Sequence, residues 1–386
     1  MRIRVMPAIE EVPRSAWDAL LDDQATPFVR WDFLAALERS GCASEASGWR
    51  PRHLTLWRAD RLVAAAPAYL REDSDGDFSR DWGWADAAQR AGIAYYPKLT
   101  ITVPFTPVTG RRILVAPGEP RAEATVALMK AARALAQEEG ATGVHVLFPV
   151  EDEARELEAA GLARRVAFQY HWRNDGYRDP EDFLARFSSK KRNQARRERA
   201  APDKQGIAIR TVRGDELAED PQKWARAAFE LHRSTVDKLM WGRRWLNRAF
   251  YEQVFASLAP SLELVEARRD GKLIAGAFNV ATPTHLYGRY WGCFEEHPFL
   301  HFNVCLYHSI DECIRRGVQV FEGGAGGEHK IARGFEPAET YSAHAFLDER
   351  LDVPLRAYIE REAAERATAL SRWRLESPIL RLNRSS

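Results

Sequence analysis

The chain has 386 residues, a net charge of +1 and 45% hydrophobic residues, so it is long enough for two domains that each bury a core. This balance of charge excludes a uniformly basic surface, and it restricts any site for nucleic acid or anionic lipid to a local patch. The four cysteines, Cys42, Cys293, Cys305 and Cys313, show neither a CxxC pair nor zinc spacing, which is typical of reduced thiols. With no signal-peptide core and no apolar run of membrane-spanning length, we expect a cytoplasmic protein without a membrane span.

The first half of the chain predicts a hairpin, a loop, a helix, a strand, a second helix and another strand. The apolar and turn patterns place these elements at Arg52–Arg58 and Leu62–Leu70, Arg121–Gln137, Thr142–Phe148, Glu151–Ala160 and Ala167–Arg173. Such an alternation is typical of an α/β unit.

A proline-rich segment between the hairpin and the first helix carries candidate substrate ligands. Tyr95–Leu99 and Val103–Gly110 contain three prolines that fix an irregular backbone. A rigid loop with polar side chains suits substrate positioning, and it equally suits a structural turn between two strands. The candidates for substrate contact here are Tyr96, Lys98, Thr106 and Thr109.

The predicted helix 182–200 carries the one dense group of cations in the sequence. Such a group could meet the phosphates of a nucleotide, a coenzyme or tRNA, although a run of charge is also typical of a solvated helix face. The residues concerned are Lys190, Lys191, Arg192, Arg196 and Arg197.

The second half of the chain repeats the order of the first. A hairpin turns at Asp270-Gly271, a strong signal for a two-residue turn. A strand at His285–Phe294, a helix at Phe302–Arg316 that ends at Gly317, and a strand at Val318–Phe321 follow. Together with the strand Tyr341–Leu347 and the C-terminal helix Leu355–Trp373, this order predicts an internal duplication without obvious sequence identity.

A glycine-rich segment follows the strand that ends at Phe321, and it looks most like a site. Its four glycines, at 323, 324, 326 and 327, let the backbone approach a ligand closely. Glu322, His329, Lys330 and Arg333 flank these glycines, and together they offer the groups for proton transfer and anion binding. A solvated loop that leads into a short helix would show the same pattern. Only nine of the 56 basic residues are lysines, so a lysine at 330 indicates a need for a compact ammonium group.

Several motifs resemble the FemAB-like family of predicted N-acyltransferases, which are labelled as peptidoglycan biosynthesis or recognition proteins. The motifs are Glu322–Pro337 (EGGAGGEHKIARGFEP), Leu286–Cys293, Phe299–Phe302, Tyr95–Leu99 with Pro104–Gly110, and Ser188–Arg192 with Arg196–Arg199. The resemblance implies an α/β fold of the α+β type, with two GNAT-like N-acyltransferase lobes in tandem whose mixed sheets are flanked by helices. The first lobe would span residues 1–165, and the second would span 166–386 with the basic helix and the C-terminal helix.

The resemblance implies that the protein moves an acyl or aminoacyl group to an amine of a small molecule or peptide. It adds Arg289, Trp291, His301 and Asn303 as substrate-binding candidates, although the family usually has Glu at the position of Asn303. Neither lobe has the Gln/Arg-Gly-x-Gly turn with which GNAT enzymes hold coenzyme A. Aminoacyl-tRNA and acyl-CoA therefore both stay open as the donor, and we expect no bound cofactor.

For such a transfer we assign a role to each residue by its chemical type. Glu322 or His329 would be the base, Lys330 and Arg333 would stabilise the oxyanion or another anion, and Tyr290 would donate a proton to the leaving group. Lys98 would contact a phosphate or carboxylate. The alternative is a non-catalytic protein that binds cell-wall peptide or tRNA. We expect no metal site, because His297, His301 and His308 have poor ligand spacing.

Overall fold

A computed structural model describes residues 1–238, 243–375 and 379, so the last ten residues of the predicted second lobe lie almost wholly outside the described residues. The described strands are β1 (Arg2–Met6), β2 (Trp49–Pro51), β3 (His53–Arg58), β4 (Arg61–Ala66), β5 (Ala68–Arg71), β6 (Lys98–Ile101), β7 (Leu114–Val115), β8 (Gly143–Leu147), β9 (Ala163–Arg173), β10 (Ile207–Arg213), β11 (Leu262–Arg269), β12 (Lys272–Ala281), β13 (His285–Cys293), β14 (Val320–Glu322) and β15 (Glu336–Phe346). The described α-helices are α1 (Arg14–Asp18), α2 (Trp31–Arg39), α3 (Trp82–Arg90), α4 (Arg121–Glu138), α5 (Glu151–Ala159), α6 (Pro180–Ala185), α7 (Ser189–Arg199), α8 (Ala201–Lys204), α9 (Asp215–Glu219), α10 (Pro221–Val236), α11 (Arg248–Leu258), α12 (Leu300–Phe302), α13 (His308–Arg316) and α14 (Glu349–Leu375).

The chain divides into two compact units. Unit 1 comprises Met1–Ala167 and Glu339–Thr368, and unit 2 comprises Phe168–Ala338 and Ala369–Ser386. From the sequence we placed the lobe boundary between residues 165 and 166. The contacts also give 339–368 to unit 1, because β15 pairs with β8 from Ser342↔Leu147 to Phe346↔Gly143.

Unit 1 contains a small antiparallel sheet in the order β1-β3-β4-β7 and a second run of strands in the order β2-β5-β6-β8-β15. In the second run, β6 and β8 are parallel and the other pairs are antiparallel. Helix α4 supplies Leu128, Met129 and Ala132 to the core of this unit, where they pack with Leu99 of β6 and Val146 of β8. The helical spacing of these apolar residues explains why one face of α4 is buried.

Unit 2 contains a run of strands in the order β10-β11-β12-β13-β14-β9, in which only β13 and β14 are parallel. The predicted turn between β11 and β12 is confirmed: Arg269 pairs with Lys272, and the two residues between them, Asp270 and Gly271, have φ of 51° and 74°. Positive φ at both positions is the geometry that matches the twist of a hairpin.

The two units share a core topology. In unit 1, β5 is antiparallel to β6, β6 is parallel to β8, and helix α4 lies between β6 and β8 in the chain. In unit 2, β12, β13 and β14 repeat this pattern, and α13 lies between β13 and β14. The duplication that the element order predicted is therefore confirmed as a repeat of topology.

The predicted helix Phe302–Arg316 is interrupted by a wider turn. It begins as α12, continues as a π-helix over Asn303–Tyr307, and returns to α geometry in α13 before ending at Gly317, whose φ is 71°. A π-helical turn inserts an extra residue into the helix and often lies at a functional site. Four of its five residues are buried, namely Asn303, Val304, Leu306 and Tyr307. Among the described residues, no helix is both long and apolar enough to cross a membrane.

Gly292→Ala should destabilise unit 2, because a Cβ atom at this position would lie 1.8 Å from the carbonyl oxygen of Leu231 in α10. Helix α10 would have to move away from β13, and overpacking of this kind costs about 1–3 kcal/mol or more. We expect calorimetry to show a Tm several degrees lower. Gly83→Ala is the control, since nothing lies within 4 Å of a Cβ there, and alanine is the better helix former. An unchanged Tm for Gly292→Ala would contradict this close approach of α10 to β13.

Candidate functional site

A cleft in unit 2 opens where β13 continues beyond the end of β14. The two strands pair only from His285↔Val320 to Tyr287↔Glu322, whereas β13 runs on to Cys293. After Glu322 the chain leaves β13 and enters the glycine segment 323–327. The resulting cleft has a volume of about 300 Å³, and Arg289, Tyr290, Trp291, His301, His329 and Lys330 are among the residues that line it. Six of the residues predicted from the sequence therefore come together at one place.

A β-bulge lies at the start of the cleft. Asn279 of β12 pairs with Gly288, and its neighbour Phe278 pairs with Tyr290, so Arg289 is an extra residue in β13. Bulges bend a strand, and they occur often beside active sites. Because the pairing with β14 has ended here, residues 288–291 of β13 border the cleft instead of a neighbouring strand β14.

The glycine segment lines the cleft, and three of its residues have a left-handed backbone conformation. Gly324, Gly326 and Gly327 have φ of 82°, 77° and 92°, which favours glycine. A Cβ atom at Gly323 would lie 2.9 Å from the ring of Phe335 and 3.3 Å from Cε of Lys330. The segment is therefore packed closely on residues that follow it in the chain.

Lys330 holds this glycine segment in place. It lies in the short 3₁₀ helix Glu328–Arg333, its residue is 5% exposed, and its Nζ donates to the carbonyl oxygens of Gly324 (2.8 Å) and Gly326 (2.7 Å). Burial lowers the pKa of Lys330 from 10.5 to about 8. Two of the three ammonium donors of Lys330 thus hold the loop. Lys330 therefore positions the glycine loop and also adds a positive charge to the site.

Three residues of the cleft lining, Trp291, His301 and His329, form an aromatic cluster together with Phe302. The His301 ring lies 5.1 Å from the Trp291 ring and 5.9 Å from the His329 ring, and the Phe302 ring lies 5.6 Å from that of His329. Burial, followed by the charge of His329 and its neighbours, lowers the pKa of His301 to about 4. Burial and the charges of Lys330 and Arg333 also lower the pKa of His329. Both imidazoles are therefore neutral at pH 7, and the exposed His329 can accept a proton.

Tyr290 is supported from behind by a histidine that the sequence analysis missed. The ring of His232, in α10, lies 4.2 Å from the ring of Tyr290, and the Nδ1 atom of His232 lies 3.0 Å from the hydroxyl of Tyr251. Burial and then the charge of Arg289 lower the pKa of His232 to about 4. A neutral, hydrogen-bonded imidazole fixes the plane of the Tyr290 ring. No signal in the sequence of α10 distinguishes His232 from an ordinary buried residue.

Glu322 lies at the end of β14 but is not among the residues that line the cleft. Its residue is 5% exposed, and its Oε2 lies 3.9 Å from Nε2 of His171 in β9. Burial, followed by the charges of Arg173 and Lys330, lowers the pKa of His171 to about 3, so this imidazole is neutral at pH 7. Of the two predicted bases, only His329 reaches the cleft surface.

Two further residues of the lining escaped the sequence analysis. Asn279 of β12 is 3% exposed, and its Nδ2 finds no acceptor among the described residues. Cys305 is in the π-helix and also lines the cleft. A signal for Asn279 did exist, because it is the one amide in the apolar run 273–281.

Arg333 and Asn303 belong to a buried network around Glu198 of α7. Arg333 Nη2 and the Tyr307 hydroxyl both donate to Glu198 Oε2, at 2.9 and 2.8 Å, and Asn303 Nδ2 donates to the Glu198 carbonyl oxygen at 2.9 Å. The Arg333 guanidinium also lies 3.3 Å from the centre of the Phe302 ring. The structure therefore places both residues behind the cleft, where they join α7, the π-helix and the end of the glycine loop. This placement supports a structural contribution rather than the predicted contact with substrate.

The opposite face of α7 carries the predicted cations. Lys190, Arg196 and Arg197 are exposed, and Lys191 and Arg192 are partly buried. Arg196 contacts Glu181 at 2.5 Å, and Arg192 donates to the Ala185 carbonyl at 3.4 Å. The helix thus buries Ala195 and Glu198 and presents its positive charge to solvent.

Four predicted substrate ligands belong to unit 1 and are not among the residues that line this cleft. The side chain of Lys98 is 0% exposed, and its Nζ contacts Asp77 at 2.8 Å and Asp81 at 2.5 Å. Tyr96 shares a hydrogen bond of 2.8 Å with Ser74, and Thr106 donates to the Pro104 carbonyl at 2.9 Å. Thr109 is partly buried in the same proline-rich segment. The ammonium of Lys98 is enclosed by carboxylates, so the structure gives no support for its predicted contact with a phosphate.

The three histidines that we considered for metal binding have other partners. His297 lies 3.5 Å from Glu295, and His308 lies 2.9 Å from the Thr211 hydroxyl, while His301 is in the cleft. Within the described part of the chain, no group of three or more His, Cys, Asp or Glu side chains could hold a metal ion.

Comparisons with known proteins give a family and a fold. The sequence profile of the FemAB-like family, described as peptidoglycan biosynthesis/recognition, matches residues 8–381. The crystal structure of FemX is 13% identical, covers 92% of this chain and 100% of its own, and has a TM-score of 0.54. A tandem GNAT protein from the clavulanic acid biosynthesis pathway is 15% identical over 89% of this chain and 98% of its own, with a TM-score of 0.46. No curated protein matches the chain. The likeness to FemX shows the fold, and the predicted fold class is confirmed.

Because the ammonium of Lys330 is buried, we expect the difference in stability between the wild type and Lys330→Met to depend on pH. The folded protein loses this proton near pH 8 and the unfolded chain near 10.5, so between these values the unfolded state binds more protons and stability rises with pH. Relative to Lys330→Met, the wild type should gain up to about 3 kcal/mol between pH 8 and 10.5, and nothing between pH 6.5 and 7.5. Urea titrations of both proteins at four pH values measure this difference. A difference that is the same at all four values would mean that the folded protein does not disfavour the charge on Lys330.

Proposed function

Because the chain belongs to the FemAB-like family, we propose that it transfers an aminoacyl or acyl group to the amine of a small molecule or peptide. The observation that carries this proposal is the cleft at the end of β14, where strand β13 beyond its pairing with β14, two neutral imidazoles and Lys330 line one small space. Backbone N–H groups and cations can stabilise the negative charge that develops on the carbonyl oxygen of an acyl group during transfer. The family description makes a peptide of the peptidoglycan type the acceptor to test first.

The reaction requires two proton transfers. The amine nitrogen attacks the carbonyl carbon, a carbon–nitrogen bond forms, and an electron pair moves to the carbonyl oxygen. When the carbonyl re-forms, the bond to the donor oxygen or sulfur breaks. The amine gives up one proton to a base, and the leaving group gains one from an acid.

His329 suits the role of the base. It lines the cleft, its lowered pKa keeps it neutral at pH 7, and it lies next to Lys330, which fixes the loop. Tyr290 suits the role of the acid for the leaving group, since it lines the same cleft and its ring is supported by His232. Arg289, displaced by the bulge, would contact an anionic part of the donor.

The exposed face of α7 favours aminoacyl-tRNA over acyl-CoA as the donor. Three exposed cations on one short helix suit several phosphates spaced along a backbone. The cleft itself, at about 300 Å³, holds an acyl group of amino-acid size and leaves the rest of the donor outside.

The direct test is a transfer assay with two sets of donors. Purified protein would be given mixed radiolabelled aminoacyl-tRNA or a set of short-chain acyl-CoA, with a lysine-containing stem peptide as the acceptor. We expect label to move to the peptide from aminoacyl-tRNA. Transfer from acyl-CoA alone would replace the donor that we propose. Tight binding of the peptide without transfer from either set would instead support a non-catalytic peptide-binding protein.

His329→Ala should lower kcat for this transfer by a factor of about 100 or more, because general-base catalysis contributes about 10²–10⁴. KM should change little. Since the pKa of His329 lies below 6.5, kcat/KM of the wild type should not fall on this account until the pH is below 6.5. His297→Ala is the matched control, because His297 contacts Glu295 and does not line the cleft. Equal kcat values for the two variants would remove His329 from the mechanism.

Reversing the charge of Lys190, Arg196 and Arg197 to Glu should weaken the binding of tRNA. Each phosphate contact that is lost should lower the slope of log K against log salt by about one. Filter binding between 50 and 300 mM salt measures both effects.

The control for this reversal is the triple variant of Lys223, Arg226 and Lys272, which changes the net charge equally at exposed positions outside α7. If both triple variants bind tRNA with the same affinity and slope, α7 is not the tRNA-binding surface.

A further inference from the structure

We propose that Asn279 is a catalytic residue whose side-chain amide donates a hydrogen bond to the carbonyl oxygen of the acyl group in the cleft. This inference rests on the proposed acyl transfer. It identifies the group that meets the negative charge of the transition state, a role for which the sequence offered only Lys330 and Arg333.

The side-chain amide of Asn279 has a donor without a partner among the described residues. The residue is 3% exposed and lines the cleft, and its Nδ2 has no acceptor in the described parts of the chain. A buried amide left without a partner costs about 1–3 kcal/mol. A ligand oxygen in the cleft would supply the missing acceptor.

Asn279 also lies in the sheet at the point where the pairing of β13 with β14 ends. Asn279 pairs with Gly288 of β13, the first residue beyond the three that pair with β14. Residues that pair across two strands project on the same face, and Gly288 has no side chain there. Asn279 and Gly288 both line the cleft, so the amide of Asn279 lies beside the point where the pairing of β13 with β14 ends.

The two cations that were predicted for this role already donate to groups of the protein. The ammonium of Lys330 donates to Gly324 and Gly326, and the guanidinium of Arg333 donates to Glu198 and to the His329 carbonyl. Both cations are thereby held in the loop and its supporting network. The Nδ2 atom of Asn279 has no acceptor in the described parts of the chain that it would have to give up to meet an oxyanion, and a donor of this kind needs little reorganisation.

In the reaction, the amine nitrogen adds to the carbonyl carbon and the electron pair of the C=O bond moves onto oxygen. Asn279 donates to this oxygen without transferring its proton. The amine nitrogen loses a proton to the base, and when the C=O bond re-forms, the donor oxygen or sulfur leaves with the proton supplied by the acid. The hydrogen bond is strongest while the oxygen is charged, so it accelerates the reaction more than it tightens binding.

The test combines kinetics with stability in Asn279→Leu and Asn279→Asp. Leu has nearly the shape of Asn and no donor, so kcat should fall by a factor of about 100 while KM changes less than about threefold. Asp has the same shape with a negative charge towards the oxyanion, so its kcat should fall further than that of Leu. A rise in KM at constant kcat, or an Asp variant as active as the wild type, would overturn the proposal.

Stability separates this catalytic role from a structural one. Because Leu removes an amide donor that has no partner in the free protein, Asn279→Leu should have a Tm equal to or above that of the wild type. A Tm several degrees lower would mean that the amide is held by the fold, and it would overturn the proposal whatever the kinetics show. If the wild type transfers no group from any donor, the proposed function fails and the catalytic role falls with it. The Tm of Asn279→Leu would then still show whether the amide is an unused donor.

Discussion

The ammonium of Lys330 under the glycine loop is the interaction on which the candidate site depends. A parallel strand pair that ends early leaves a gap, and the chain leaving β14 would otherwise be free to fold back into it. Lys330 prevents this by holding the carbonyls of Gly324 and Gly326, and the positive φ values of the glycines allow both carbonyls to turn towards one ammonium. The cost appears as the lowered pKa of Lys330, since its charge is kept away from water.

Unit 1 shows what the same topology becomes without such a loop. Its parallel strands β6 and β8 correspond to β13 and β14, but the chain that follows β6 turns back on the end of β8. The nearly inaccessible Arg112 donates to the carbonyls of Val108, Gly110 and Leu147, and the Gly110 amide donates to the Phe148 carbonyl. The segment that follows β6 in unit 1 is thus hydrogen-bonded to the end of β8. A fold fixes where a site can form, and the following segment decides whether it stays open.

Helix α7 connects the proposed donor surface to the interior of unit 2. Its exposed face carries Lys190, Arg196 and Arg197, while Glu198 on its buried face accepts from Arg333 and Tyr307. Arg333 follows the glycine loop and Tyr307 ends the π-helix. The Glu198 carboxylate therefore connects these two segments of the site to α7. Removing one partner of such a buried network would leave an uncompensated charge, which is usually strongly destabilising.

The sequence by itself determined the repeated order of elements, the hairpin at Asp270-Gly271 and the glycine segment with His329 and Lys330. These are local signals, carried by periodicity, turn chemistry and residues that are adjacent in the chain. Only the tertiary structure decided that Lys98 is enclosed by carboxylates and that Asn279 lines the cleft. It also decided that Arg333 and Asn303 donate hydrogen bonds to Glu198. The physical reason is that whether a polar group is free for a ligand depends on partners far away in sequence, and on where a neighbouring strand ends. The residues adjacent to a polar group in the chain indicate neither its distant partners nor the end of the neighbouring strand.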